Sequence, residues 1–241
     1  NTAVGYNALG ANTTAPNNTA MGFRCLQANT TGDTNVAIGK ESMKVNTTGT
    51  NNTAIGARSL DANTTGASNV AVGDMALGAN TTASSNAAVG TSALTTCSTG
   101  AENVAVGTAS SGSLTTGSNN VSVGTDSGSG LTTGSNNTLL GHDAGRTGSP
   151  GGNITTGSNT IVLGDENIGA CHIQTDWTVA SDQRDKTDIE PIKTGLDFVN
   201  KLEPVTYRWD KRSKYGNKTA DDYKLNDQTP DGTHKEDWLD I

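Results

Sequence analysis

Aromatic residues are scarce in this chain: three Trp, four Tyr and two Phe in 241 positions. Hydrophobic residues of every kind reach only 32%. A chain this long ordinarily buries one large apolar core or two smaller ones, and here too few large side chains exist to fill an enzyme-like core. Charge is thin as well, 17% against roughly 25% in an average domain, which excludes the charge-rich pattern of a solvated disordered chain. No apolar run approaches the ~18 residues of a membrane span, so no membrane insertion is expected. The net charge of −8 repels phosphate and argues against nucleic acid as a partner. Cysteine is sparse and odd in number. Cys25, Cys97 and Cys171 stand far apart with no CxxC or Cys/His cluster, so no structural metal is expected and the thiols read as small buried or half-buried side chains. His142, His172 and His234 are isolated, and no motif calls for a cofactor.

What the chain does have is glycine, 30 residues of it, and an uneven layout. Residues 1–170 hold two aromatics, Tyr6 and Phe23; residues 171–241 hold the other seven. Charged residues number 14 of 170 in the first part and 26 of 71 in the second. Two kinds of structure therefore share one chain. It opens inside a repeat, without an initiator Met or a signal peptide, as a fragment edge would.

The repeat has a period of 17. Glycines closing a small-apolar tripeptide fall at Gly5, Gly22, Gly39, Gly56, Gly73, Gly90, Gly107, Gly124 and Gly141, and Gly164 follows 23 residues later, after a Gly-Ser-Pro-Gly-Gly insertion. The unit reads Asn-x-Ala-Val/Ile-Gly, as in Asn35-Val36-Ala37-Ile38-Gly39. A second lane runs Leu9, Leu26, Met43, Leu60, Leu77, Leu94, then gives way to Ser111 and Gly128. A third is polar: Asn12-Thr13-Thr14, Asn29-Thr30-Thr31 and their successors. Each apolar run is too short for a helix, and Val, Ile and Thr favour strands. One unit predicts a short strand, a Gly turn, a second short segment and an Asn/Thr corner, since Asn and Gly tolerate positive φ. The recurrent Asn-x-Thr triplets are explained by that corner rather than by glycan attachment.

Stacked in register, such units form an all-β parallel solenoid, each coil ~4.8 Å from the next, so ten coils span roughly 45 Å. The expected inward side chains are one Val/Ile, one Ala and one Leu/Met per coil. At roughly 25 cal/mol per Å², so little apolar area hardly offsets the ordering entropy of a coil. Packing against other chains is the natural remedy.

The Asn-x-Ala-Val/Ile-Gly units resemble the head repeats of trimeric autotransporter adhesins, the YadA-like left-handed parallel β-roll. The resemblance covers residues 1–165 and implies a homotrimeric β-roll used as a surface-exposed rod or adhesive head.

Beyond Gly164 the period stops, and 166–180 reads as a linker strand. Cys171, Ile173, Thr175, Trp177 and Val179 alternate with polar residues. Thr194 to Leu202 reads as a short helix with Leu196, Val199 and Leu202 on one face, and Val205, Tyr207 and Trp209 mark another strand. The stretch from Ser181 to Ile192, Ser-Asp-x-Arg-x-Lys-x-x-Ile-x-Pro-Ile, precedes that helix and Glu203-Pro204-Val205-Thr206-Tyr207-Arg208-Trp209. This order looks like the start of the self-cleaving intramolecular chaperone of phage tailspikes, tail fibres and endosialidases. The resemblance implies that 181–241 is a truncated N-terminal part of that small α+β domain. It also implies a catalytic Ser–Lys dyad at Ser181 and Lys186, cutting Ala180–Ser181 once; Asp185 stands where members often carry Leu. A Lys freed of its proton can activate a Ser hydroxyl, which makes that chemistry reasonable.

The reading that joins both halves is a viral tail fibre or tailspike carried on the virion, a structural and host-attachment protein rather than a turnover enzyme. Its expected partners are two further copies of itself, other virion tail proteins and a host cell-surface receptor. The alternatives are a bacterial cell-surface autotransporter adhesin head and a glycan-cleaving tailspike. Acids in 1–165 follow no common register, which disfavours the last. No groove of aromatic or basic residues stands out along the sequence as a ligand site.

Overall fold

The computed structural model describes residues 1–170 together with His172. The strand expected from Cys171 to Val179, the helix 194–202 and the strand 205–209 lie outside the described residues.

Ten three-residue strands follow one another: β1 (Thr2–Val4), β2 (Thr19–Met21), β3 (Val36–Ile38), β4 (Thr53–Ile55), β5 (Val70–Val72), β6 (Ala87–Val89), β7 (Val104–Val106), β8 (Val121–Val123), β9 (Thr138–Leu140) and β10 (Ile161–Leu163). They form one sheet in sequence order, every pair parallel. Register follows the repeat: Ala37 faces Ala54, and Ala54 faces Ala71. The inserted Gly-Ser-Pro-Gly-Gly shifts only the last pairing, Leu139 with Val162. The fold is an all-β parallel β-solenoid with no helix among the described residues.

The interior differs from the sequence expectation in one respect. Successive strand residues point to opposite sides, so Ala and the Val or Ile after it cannot both turn inward. Ala takes the inside. Ala20, Ala37, Ala54, Ala71, Ala88 and Ala105 are fully buried, while Ile55, Val89, Val106 and Val123 remain exposed. The inward set is therefore Ala and Leu/Met, joined by two asparagines per coil.

Those asparagines form ladders. In the first, the Asn69 side-chain oxygen accepts the backbone N–H of Asn86 at 3.0 Å, while its amide donates to the Ala83 carbonyl at 2.9 Å. The same bonds recur from Asn18 to Asn137. In the second, each amide donates to the side-chain oxygen one coil earlier, from Asn29 to Asn80. It ends where Cys97 replaces Asn. The Cys97 thiol donates to the Gly100 carbonyl, and the Asn80 side-chain oxygen is left buried without a partner.

Beyond that point the core changes composition. Ser111 and Gly128 leave the Leu lane empty, but Leu114 and Leu131 enter where the second ladder ran, and Leu139 enters the Ala lane. A Cβ on Gly128 would lie 2.8 Å from Leu139 Cδ1, so Leu139 fills the vacated space. Volume is conserved by exchange between lanes, as close packing requires.

The second segment of each coil is a turn, not a strand. Two residues in it adopt left-handed φ, two and four positions after the lane glycine, as in Arg58 (51°) and Leu60 (53°). This curls the chain back so that Leu points inward. The lane glycines themselves hold φ near 130°, and a Cβ on any of Gly22 to Gly124 would strike the carbonyl of the next.

Candidate functional site

Ser181 and Lys186, the residues expected to carry autocleavage, lie outside the described residues, as does Cys171. The described rod offers three surfaces with distinct chemistry.

The first is the outward face of the sheet. Strand geometry turns the first and third residue of every strand to this side, and the alternation leaves two lanes of side chains. They carry Thr, Val, Ala or Ile in one and Val, Met, Ile or Leu in the other, with no charged residue in either. Val4, Met21, Ile55, Val70, Val89, Val104, Val106, Val123, Leu140, Ile161 and Leu163 are all exposed there. A continuous apolar face of this length is unusual for a chain that stands alone in water.

The second is the edge just after the lane glycines in the first coils. The 17-residue register stacks Tyr6, Phe23 and Lys40 in one lane and Arg24, Glu41 and Arg58 in the next. Backbone hydrogen bonds fix this: the Arg24 N–H donates to the Tyr6 carbonyl, and the Glu41 N–H to the Phe23 carbonyl, both at 2.8 Å. Tyr6 and Phe23 stack with ring centroids 5.6 Å apart, and the Arg24 guanidinium lies 5.0 Å from the Phe23 centroid. Glu41 pairs with Lys44 and Arg58 with Asp74. Arg24 and Lys40 have no ion-pair partner among the described residues, and Arg24 Nε is buried without an acceptor. No stretch of sequence shows this cluster. Writing the chain in rows of 17 does.

The third joins the last two coils. His142 Nδ1 lies 3.3 Å from an Asp143 oxygen and 3.5 Å from an Asp165 oxygen. The three groups converge within 4.8 Å, although His142 stands alone in the sequence. Arg146 already pairs with Asp143 at 2.6 Å and reaches Asp126. Hydrogen bonds from Asn167 hold the Asp165 carboxyl below the usual carboxylate range.

The thiols are inert by position. Cys25 and Cys97 are fully buried, the Cys25 thiol donates to the Ala37 carbonyl, and burial pushes both up to about 11.

Comparison with known proteins bears on the rest of the chain. Residues 181–229 match the family model described as chaperone of endosialidase. The match starts at Ser181, the residue that opens the motif read from sequence. No curated protein and no solved structure matches the chain. The chain thus joins a parallel β-solenoid to a stretch matching this chaperone family. The combination fits a phage tail fibre or tailspike with a C-terminal chaperone.

Proposed function

We propose that the protein is the distal part of a phage tail fibre or tailspike: a trimeric rod on the virion that joins other tail proteins and attaches to a receptor on the host cell surface. The division we adopt is a β-roll over 1–165, a linker strand over 166–180 and a truncated chaperone over 181–241. The observation that carries the reading is a chaperone match at 181–229 in the same chain as a solenoid whose outward sheet face is apolar and exposed. A face of Val, Ile and Leu is stabilised when other copies cover it, at roughly 25 cal/mol per Å². Parallel pairing is non-local, and half-formed coils expose unpaired edges. A C-terminal domain that gathers three chains first would hold them in register while the coils form.

In this reading Lys186 takes the proton of Ser181 Oγ, which attacks the Ala180 carbonyl. The peptide C–N bond breaks, the Ser181 nitrogen leaves as an amine, and water then cleaves the resulting ester. Release of the chaperone would make assembly irreversible. The test is the mass of the purified full-length product together with its size in solution. A trimer accompanied by a fragment beginning at Ser181, both chains staying joined in Ser181→Ala, is the expected result. A stable folded monomer overturns the trimeric rod, and an intact chain in a folded trimer overturns the cleavage.

A further inference from the structure

We infer that the edge formed by Phe23, Arg24 and Lys40 binds an anionic saccharide, one bearing carboxylate or phosphate groups. The inference rests on the host-attachment reading above and names the ligand class. Four of the five Lys and Arg in residues 1–170 lie between positions 24 and 58, and both aromatics of that region lie at 6 and 23. The solenoid register gathers them on one edge, whereas the equivalent positions further along are Thr91, Thr108 and Thr125.

The chemistry at this edge is selective. Lys44 and Arg58 are engaged by Glu41 and Asp74, but Arg24 and Lys40 stand uncompensated among the described residues. The Arg24 head is held over Phe23, so its planar fork is already ordered and loses little freedom on meeting a carboxylate or phosphate. Lys40 adds a point charge one rung away, exposed to solvent. Phe23, 41% exposed although its ring is stacked on Tyr6 and covered by Arg24, adds an apolar ring edge beside the cations against which the carbon skeleton of a sugar can pack. Residues 1–170 carry 9 acidic and 5 basic groups, so an anion is repelled along most of the rod and attracted here.

The test immobilises three probes, a polyuronic acid, a phosphodiester-linked glycan and neutral dextran, and measures binding of the full chain, alongside adsorption to host cells. Binding to one or both anionic probes, weakened by salt, with none to dextran, is expected; which of the two binds identifies the anion. The Arg24→Gln/Lys40→Gln double variant should lose affinity about tenfold or more, and Phe23→Leu should weaken binding without abolishing its salt dependence. Lys44→Gln, at a cation already paired, should bind as the parent does. Equal binding to dextran, no binding to either anionic probe, or an unchanged double variant overturns the site. The two readings fail differently. If the parent chain does not adsorb to host cells, attachment itself falls; if it adsorbs and the double variant adsorbs equally, attachment stands and this site falls.

Discussion

Burying an asparagine is costly unless both ends of its amide find partners, and this solenoid buries two per coil from Asn18 through Asn80. The stacking makes that possible. Each coil presents an asparagine side-chain amide to the next, and the next coil answers with a backbone N–H for its oxygen and a backbone carbonyl for its nitrogen. Asn69 shows the arrangement: its oxygen takes the Asn86 N–H and its amide the Ala83 carbonyl. Asn69→Ala removes these bonds and the one its amide donates to the Asn52 side-chain oxygen, leaving the Asn86 N–H buried; the Ala83 carbonyl keeps the Asn80 amide. A loss of about 2–3 kcal/mol in unfolding free energy is expected, read from denaturant melts of the parent and the variant. A change within a few tenths of a kcal/mol would mean the ladder is not holding the coils. The presence of Asn at a corner was legible from its recurrence. That it points inward and bonds the next coil was not, because a corner Asn in αL conformation and a buried ladder Asn leave the same mark in a sequence.

At the scale of one coil, the governing features are a three-residue strand and the turn that follows. The strands were legible: β-branched residues beside a glycine at a fixed interval allow little else. The facing of Val and Ile is not legible in the sequence, since periodicity identifies apolar positions but alternation assigns them to opposite sides, and the room inside decides which side each takes. The glycine closing each strand has the clearest consequence. Gly73 has φ 136°, and a Cβ there would collide with the Gly90 carbonyl in the next coil. Gly73→Ala should cost more than 3 kcal/mol, combining backbone strain with a clash between two rigid main chains. Gly66→Ala should cost less. A Cβ there would also meet the backbone carbonyl of the next coil, but its φ is not positive, and the chain already accommodates Ala83 at the equivalent place one coil on. Thermal unfolding of the two variants checks the order, and equal losses would contradict it.

Across the whole molecule, the apolar residues that fail to enter the coil line its outward sheet face instead. Val72 and Val89 are neighbours there, paired across β5 and β6. Replacing both by Asp leaves the buried interior of the coil untouched, so a lone rod should keep its strand content, whereas an assembly closed over that face should come apart. Light scattering of the Val72→Asp/Val89→Asp variant is expected to give a monomer with the parent's circular dichroism. A trimer of unchanged size would move the interface to another surface.

Residue type and spacing alone carry the period, the parallel pairing of residue i with i+17, the all-β class and the place where the repeat gives way to a chaperone-like stretch. The folded coil is needed to show which way each lane faces, how Leu114, Leu131 and Leu139 replace the lost Leu lane, and that Phe23, Arg24 and Lys40 share one edge. The reason is that spacing fixes which residues stack, while the left-handed turns after each glycine and the volume inside the coil fix the direction in which their side chains point.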